Sequence, residues 1–409
     1  MTAKIYLDVL KNFDFIKLWI SQASSQLTNY ILSFAILIKV FQLTNSSTYV
    51  ALIIMAFGLA TVFFGSIAGV YADRFDRKWV LTIINFLQAG SIALYFVIGG
   101  SFWALVLITF LYSSFNQFYI SAEAPSIPNL VPHNQILIAN SYFAFTNSTA
   151  LIVGFAAAGP MSSAFGQSTP FLAGTILLAI AGIATLTLPS LKPQADRNQF
   201  HTISKIWQEY KEGIIYFWQN TLLHYPLLSL IAIQIVNGML ITIAPAFMQK
   251  VIGINLNTSS IFVVAPLGLG ILIGALALGL EERYFSKQNL VFVGFLGMGL
   301  MLIGLSFIDQ FSRKYVYYSF FGFLMGIFNA HIFAPSHSLL QTSAFSDMRG
   351  RIYSSLYILL QVAATLPAII VGVLADKIAL SNIVGSLGLL LLILGLAIQP
   401  KKNQGQAQT

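Results

Sequence analysis

The chain contains no cysteine, so it can form no disulfide and offers no thiol to chemistry. Charge is nearly as scarce. Acidic and basic residues together make up 8% of its 409 residues, where soluble domains carry roughly 25%. None of the 13 acids falls at the middle of a long apolar stretch. Catalytic signatures are missing too. There is no HExxH, no phosphate-cradling P-loop and no GxSxG elbow, so no metal, phosphate or nucleophile site is expected. His331 and His337 stand six apart, which turns them to different faces of a helix. No ring of charge or filter sequence marks a channel. The expectation is a protein that is not an enzyme and needs no cofactor or metal.

What remains is apolar. Hydrophobic residues make up 57% of the chain. They form twelve stretches long enough to cross a bilayer, near 15–40, 48–71, 79–99, 102–123, 136–160, 169–188, 223–247, 258–280, 289–308, 314–336, 351–375 and 382–398. Lipid cannot satisfy a backbone amide, so each stretch is predicted to be a helix. The first carries Gln22, Gln26 and Asn29 where a signal peptide keeps an apolar core, so it reads as a retained helix.

The net charge of +8 would suit nucleic acid, but the bases cluster on one membrane face. With the N-terminus in the cytoplasm, sixteen of the 21 Lys and Arg fall inside. Lys39, Lys250, Arg313, Lys314 and Lys377 fall outside. That is the positive-inside bias, and it makes both termini cytoplasmic. No nucleic-acid partner is expected; the lipid bilayer is the partner.

The longest polar stretch, 189–222, follows the sixth span. Ile206, Tyr210 and Ile214 recur every four residues in it. This predicts a surface-lying amphipathic helix over about Ile203–Phe217, a reading compatible with a plain tether.

The halves repeat weakly. A shift of 209 places Asp73, Arg74, Phe75 and Lys78 on Glu282, Arg283, Tyr284 and Lys287. A shift of 210 places Ala124-Pro125-Ser126 on Ala334-Pro335-Ser336, and one of 208 places Gln26 and Asn29 on Gln234 and Asn237. A 6+6 duplication is the economical explanation. The expected organisation is a six-helix bundle over 1–188, a cytoplasmic linker over 189–222, a second bundle over 223–400 and a tail over 401–409.

The turn after the second span reads Gly69-Val-Tyr-Ala-Asp73-Arg74-Phe75-Asp76-Arg77-Lys78. It resembles the signature loop of the major facilitator superfamily, with Asp76 where the commonest form has Gly. Asp73-Arg74-Phe75-Asp76-Arg77, Ile127-Pro128-Asn129-Leu130-Val131-Pro132 and Arg349-Gly350-Arg351-Ile352 resemble its macrolide-efflux and enterobactin-exporter branch. The resemblance implies an all-α membrane fold of two pseudo-symmetric six-helix bundles, working by alternating access around a central cavity. It also implies a clasp at the signature loop. There an acid caps a neighbouring helix and an arginine meets an acid on span four, for which Glu123 is the candidate. Solvation of a turn and fixing of topology is the plainer reading of the same charges. Gly154-Phe-Ala-Ala-Ala-Gly159-Pro160 resembles part of the antiporter motif of exporters, although Met161-Ser162-Ser163 follow where further glycines are usual. A small-residue packing face explains it equally.

Counting about 1.5 Å per residue puts Gln26, Asn29, Gln234 and Asn237 near the midplane. Asn147 and Gln361 are central in spans five and eleven, and Asn116 lies on a polar and aromatic stripe of span four. Amides at that depth face a cavity or one another, so they are candidate substrate contacts or inter-helix bonds. With no acid at the midplane, proton coupling falls to Asp14, Glu123 or His331, the last having an unperturbed pKa near 6.5.

The resulting expectation is a monomeric, multi-pass secondary transporter of a bacterial-type inner membrane. It would export amphipathic small molecules (drug, macrolide or siderophore-like) by proton antiport. An importer, a lipid or lysolipid mover and a non-transporting sensor remain open on the same fold.

Overall fold

The computed structural model describes residues 8–192, 203–308, 314–343 and 349–397. Among these there is no strand. Among the described residues, thirteen long helices organise the chain: α1 (Phe13–Thr44), α2 (Ser47–Arg74), α3 (Arg77–Ala93), α4 (Phe102–Glu123), α5 (Ile136–Phe165), α6 (Thr169–Leu186), α7 (Ile203–Gln219), α8 (Thr221–Ala246), α9 (Ala265–Glu281), α10 (Lys287–Ser306), α11 (Lys314–Ser343), α12 (Arg349–Ala375) and α13 (Leu380–Ala397). All but α7 belong to the 12 segments long and apolar enough to cross a membrane. The chain is a multi-pass membrane protein. The C-terminal tail expected at 401–409, residues 193–202 of the linker and the side chains of Arg349-Gly350-Arg351-Ile352 lie outside what the structure describes.

Polar side chains set several helix starts. Asn12 accepts from the amides of Asp14 and Phe15 at α1, and Asp76, Ser101, Asn220 and Ser286 cap α3, α4, α8 and α10. Each satisfies an amide that the first turn leaves without a partner. Asn45 closes α1 in the left-handed conformation, φ 51°, which Asn tolerates better than most residues.

Two helices run further than their prolines suggest. The fifth span was expected to end at Pro160 and the tenth at Ser336, yet α5 continues to Phe165 and α11 passes Pro335 to Ser343. A proline removes one backbone bond and bends the helix; unwinding in the membrane would free many more polar groups. After Pro245 the backbone widens into a π turn over Phe247–Ile252.

The chain sorts into two compact units. One comprises Met1–Asn45, Leu52–Trp207 and Leu256–Ser260; the other comprises Ser46–Ala51, Gln208–Asn255 and Ile261–Thr409. In the first, α1 packs on α5 and α6, and α3 on α4 and α6. In the second, α8 packs on α12 and α11, and α10 on α11 and α13. Three of these pairings recur in the same order, α1 with α5 as α8 with α12, α3 with α4 as α10 with α11 and α3 with α6 as α10 with α13, whereas α1 packs on α6 and α8 on α11.

The first unit has a core around Phe15, Leu18, Leu81, Tyr119 and Ile127. In the second, Phe217 of α7 is 2% exposed and joins Leu223, Leu230, Leu340 and Leu356, while neighbouring Trp218 is 78% exposed. In the described part of α7, Phe217 is thus docked on its unit while Trp218 is left open. Large apolar side chains such as Leu276, Leu280 and Ile393 point outward along the spans. Water would disfavour them there; acyl chains do not.

Candidate functional site

The signature loop sits in the first unit between α2 and α3, and Asp76 organises it. Its carboxylate accepts from the Lys78 amide at 3.0 Å, the Leu191 amide at 2.8 Å and the Ser190 hydroxyl at 2.6 Å. The Arg77 amide returns a bond to the Leu191 carbonyl at 3.2 Å. Partial burial pushes the Asp76 carboxyl up. The bonds from Ser190, Leu191 and Lys78, with the Lys192 charge, outweigh this and hold it below the usual value. The sequence read Asp76 as a departure from a glycine. In the structure it is the acid that ties α3 to the segment after α6, and the helix it caps is its own.

Arg77 spans the loop. Its guanidinium donates to the Pro125 carbonyl at 2.8 Å, to Asn129 Oδ1 at 3.3 Å and to the Ala72 carbonyl at 3.4 Å. Asp73 lies 3.8 Å away and is largely exposed. The expected pairing of an arginine with Glu123 is corrected. Glu123 is 8% exposed, and its carboxyl hydrogen-bonds Tyr119, one turn earlier on α4. The helix-end carbonyl at Pro125 takes the cation instead, as helix C-termini do. Lys78 lies over the ring of Trp79, 5.3 Å from its centroid. Nothing lies within 4 Å of where a Cβ on Gly69 would stand, so packing in this conformation does not require glycine there. Arg74 ends α2.

Inside the same unit runs a buried polar network. The Ser21 hydroxyl meets the Tyr119 hydroxyl at 3.0 Å, and Asn85 Nδ2 donates to Ser21 at 3.1 Å. Gln22 donates to the Phe143 carbonyl at 3.2 Å and Gln88 to Asn116 Oδ1 at 3.3 Å. Among the described residues of this unit, four buried amide or carboxyl oxygens lack partners, Gln22 Oε1, Asn85 Oδ1, Gln88 Oε1 and Glu123 Oε1, as do the hydroxyls of Thr109, Tyr112 and Ser113. Sequence reading missed Asn85 and Gln88. Their signal was two amides within four residues of an apolar span. Asp14, by contrast, pairs openly with Lys17 at 2.8 Å and is 41% exposed.

The midplane amides divide. Gln26 and Asn29 are partly buried and make no side-chain hydrogen bond among the described residues. Tyr30 donates to exposed Asn147 at 3.1 Å. In the second unit, Asn329 Nδ2 donates to Asn237 Oδ1 at 2.9 Å, and Asn237 reaches Gln234 at 3.5 Å. Gln361 bonds Thr365 on its own helix at 3.4 Å.

Gly154 and Gly159 lie at close approaches. A Cβ on Gly154 would stand 2.8 Å from Tyr30 Cβ, and one on Gly159 only 1.9 Å from the Asn257 carbonyl oxygen. In the second unit His331 Nε2 lies 2.7 Å from Glu281 Oε2, and its Nδ1 is 2.8 Å from the Ile327 carbonyl. Fifty residues separate the two, so sequence reading left His331 without a carboxylate. The described residues contain no cluster of potential metal ligands.

A model of the Major Facilitator Superfamily matches residues 18–366. The chain belongs to that superfamily. It is therefore a membrane-embedded transporter of small molecules and not an enzyme. It is 27% identical over 389 residues to an uncharacterized MFS-type transporter, YfiS, of Bacillus subtilis (strain 168), covering 92% of this chain and 90% of that one. To macrolide efflux protein A of Streptococcus pyogenes it is 24% identical, covering 90% and 91%. To the multidrug efflux pump Tap of Mycolicibacterium fortuitum it is 24% identical, covering 87% and 88%. Among solved structures, the nucleoside transporter NupG shares the fold at a TM-score of 0.73, with 15% identity over 95% of this chain and all of that one.

Proposed function

We propose that this superfamily member is an exporter of amphipathic small molecules of the macrolide class, driven by proton antiport through alternating access. The carrying observation is the near full-length likeness to proteins named for macrolide and multidrug efflux. The interior agrees with such a cargo. Its polar groups are mainly amides and hydroxyls, suited to many weak hydrogen bonds along a large neutral or zwitterionic molecule. Gln26 and Asn29, lacking internal partners, are the first candidates for substrate contact. Asn116, Asn147, Gln234, Asn237 and Gln361 follow, each already holding a neighbour. Glu123 and His331 are the buried candidates for the coupling proton, whereas Asp14 sits in an open pair. The protein works as a monomer in the inner membrane with both termini in the cytoplasm.

Inside-out vesicles test the reading. A proton gradient is imposed and its collapse followed while a macrolide, a cationic dye, a siderophore and a lysolipid are added in turn. Macrolide-evoked proton movement supports the proposal. A response to lysolipid alone would make the protein a lipid mover, and silence from correctly folded protein would sink proton-coupled efflux.

A further inference from the structure

We infer that Glu281 and His331 form the proton-carrying couple of this transporter, with one hydrogen shared between Glu281 Oε2 and His331 Nε2. The inference rests on the proton-coupled reading above and names the site that such coupling uses.

Hydrogen counting supplies the argument. His331 Nδ1 lies 2.8 Å from the Ile327 carbonyl oxygen. A carbonyl only accepts, so Nδ1 carries a hydrogen. On the other side of the ring, Nε2 lies 2.7 Å from Glu281 Oε2. A contact that short needs a hydrogen between the atoms, either on nitrogen as an imidazolium facing a carboxylate or on oxygen as an acid facing a neutral ring. Both forms carry the same one proton. Removing it leaves a nitrogen lone pair opposite a carboxylate, and the contact opens. The released proton goes to water as hydronium; its return from hydronium breaks one O–H bond there, leaves water, forms one N–H or O–H bond in the couple and closes the contact.

The setting suits transfer. His331 is 6% exposed and Glu281 36%, so one partner is dry and the other reaches outward at the last residue of α9. Glu281 belongs to α9 and His331 to α11, and these two helices pack along their length. Proton loss therefore loosens one helix from its neighbour, which is the kind of step that coupling requires. Competing groups are few. Glu281 is the one titratable residue of α9. Lys287, the one on α10, donates to Ser338 at 2.5 Å. On α8, His224 and Tyr225 are the titratable residues, and Tyr225 donates to the Gln288 carbonyl. Lys250 stands in the π turn after α8. On α11 itself, His337 packs on Phe333, while Tyr315, Tyr317 and Tyr318 lie more than a dozen residues before His331. Glu282 and Arg283 follow α9 directly.

The couple is confined to the second unit. At the 209-residue shift that aligns Asp73-Arg74 with Glu282-Arg283, Glu281 falls on Ala72, which is 1% exposed in the apolar core of the first unit.

The test uses the full chain in proteoliposomes with a radiolabelled macrolide as probe. Glu281→Gln and His331→Asn are each expected to abolish proton-driven accumulation and to keep macrolide–macrolide exchange, which needs no net proton movement. In parallel, ¹⁵N-histidine spectra of detergent-purified protein read the ring directly, with His331→Asn identifying its signals. Glu281→Gln is expected to move His331 from a shared-proton signature to that of a neutral ring protonated at Nδ1. Variants that accumulate macrolide like a coupled wild type overturn the couple, as do His331 signals unchanged by Glu281→Gln. Loss of accumulation and exchange together would make the pair a structural clamp and overturn it as well. A wild type that exchanges macrolide but never couples to protons defeats the efflux reading itself, separately from the spectra.

Discussion

The Arg77 guanidinium donates to the Pro125 carbonyl at 2.8 Å, while Glu123, two residues before that proline, turns its carboxyl inward to Tyr119. The arginine thus joins the start of α3 to the end of α4 through backbone, and the acid is left to the interior. Hydrogen bonds to charged groups contribute about 1.5–3 kcal/mol, and the lower end applies where water reaches the bond, as it does at Pro125. Arg77→Ala is therefore expected to lower the melting temperature of detergent-purified protein by several degrees and to cut flux. Arg77→Lys recovers only part, because an ammonium lacks the planar fork that reaches both Pro125 and Asn129. Glu123→Gln leaves this link untouched. An unchanged melting temperature in Arg77→Ala would count against the link.

Asp76 predicts a pH dependence. Its carboxyl is held below its ordinary value of 3.8, mainly by bonds from Ser190, Leu191 and Lys78 against the opposing effect of burial. A carboxylate with a depressed pKa stabilises the fold above its unfolded value, and that stability is lost as pH falls through the folded one. Protection of the Leu191 amide should hold from neutral pH to about pH 4, begin to weaken below that and fail only as pH falls through the lowered folded value. Hydrogen exchange, corrected for its intrinsic pH dependence, reads this directly. Asp76→Ala should expose the Leu191 amide at every pH, whereas Asp76→Asn keeps the α3 cap and loses the charge. Leu191 protection that survives Asp76→Ala would refute the tie.

Apolar length and the position of charges made the helices and their number legible, because lipid allows a spanning chain little else. Pairings between distant segments were not. His331 was visible as a lone histidine, but its carboxylate comes from Glu281 on a helix that only packing brings near. Glu123 was legible as the acid of span four and misjudged in partner, since its carboxyl turns to Tyr119, one helical turn earlier on the same helix. Asn85 and Gln88 were overlooked although both amides stand within four residues of each other on a largely apolar span; the structure gives Asn85 a bond to Ser21 and Gln88 one to Asn116.

Gly159 and Gly154 should differ in their tolerance of a methyl group. At Gly159 a Cβ would meet the backbone of Asn257 at 1.9 Å and Ser260 Oγ at 2.3 Å. At Gly154 the tightest neighbour is a side-chain carbon, Tyr30 Cβ, at 2.8 Å. A Cβ is as fixed as backbone, so neither neighbour yields readily, but the overlap is far deeper at Gly159, and overpacking costs about 1–3 kcal/mol. Gly159→Ala is expected to lower the melting temperature clearly and Gly154→Ala to lower it less. Equal effects would show that the α5 contacts yield more readily than these distances imply.

The amides give a prediction that separates binding from packing. Asn29 has no side-chain bond among the described residues, while Asn237 is held by Asn329 at 2.9 Å. Removing the Asn29 amide breaks no hydrogen bond among the described residues. Asn29→Ala should weaken macrolide binding several-fold, as loss of one net hydrogen bond of about 1 kcal/mol requires, and leave thermal stability unchanged. Asn329→Ala should do the reverse first, loosening α8 from α11 by about 0.6 kcal/mol and affecting binding only through Asn237. Equilibrium binding and thermal unfolding of the two variants, measured on the same preparations, decide the matter. Full affinity in Asn29→Ala would remove that amide from the substrate site and leave Gln26, one helical turn away, as the next to test.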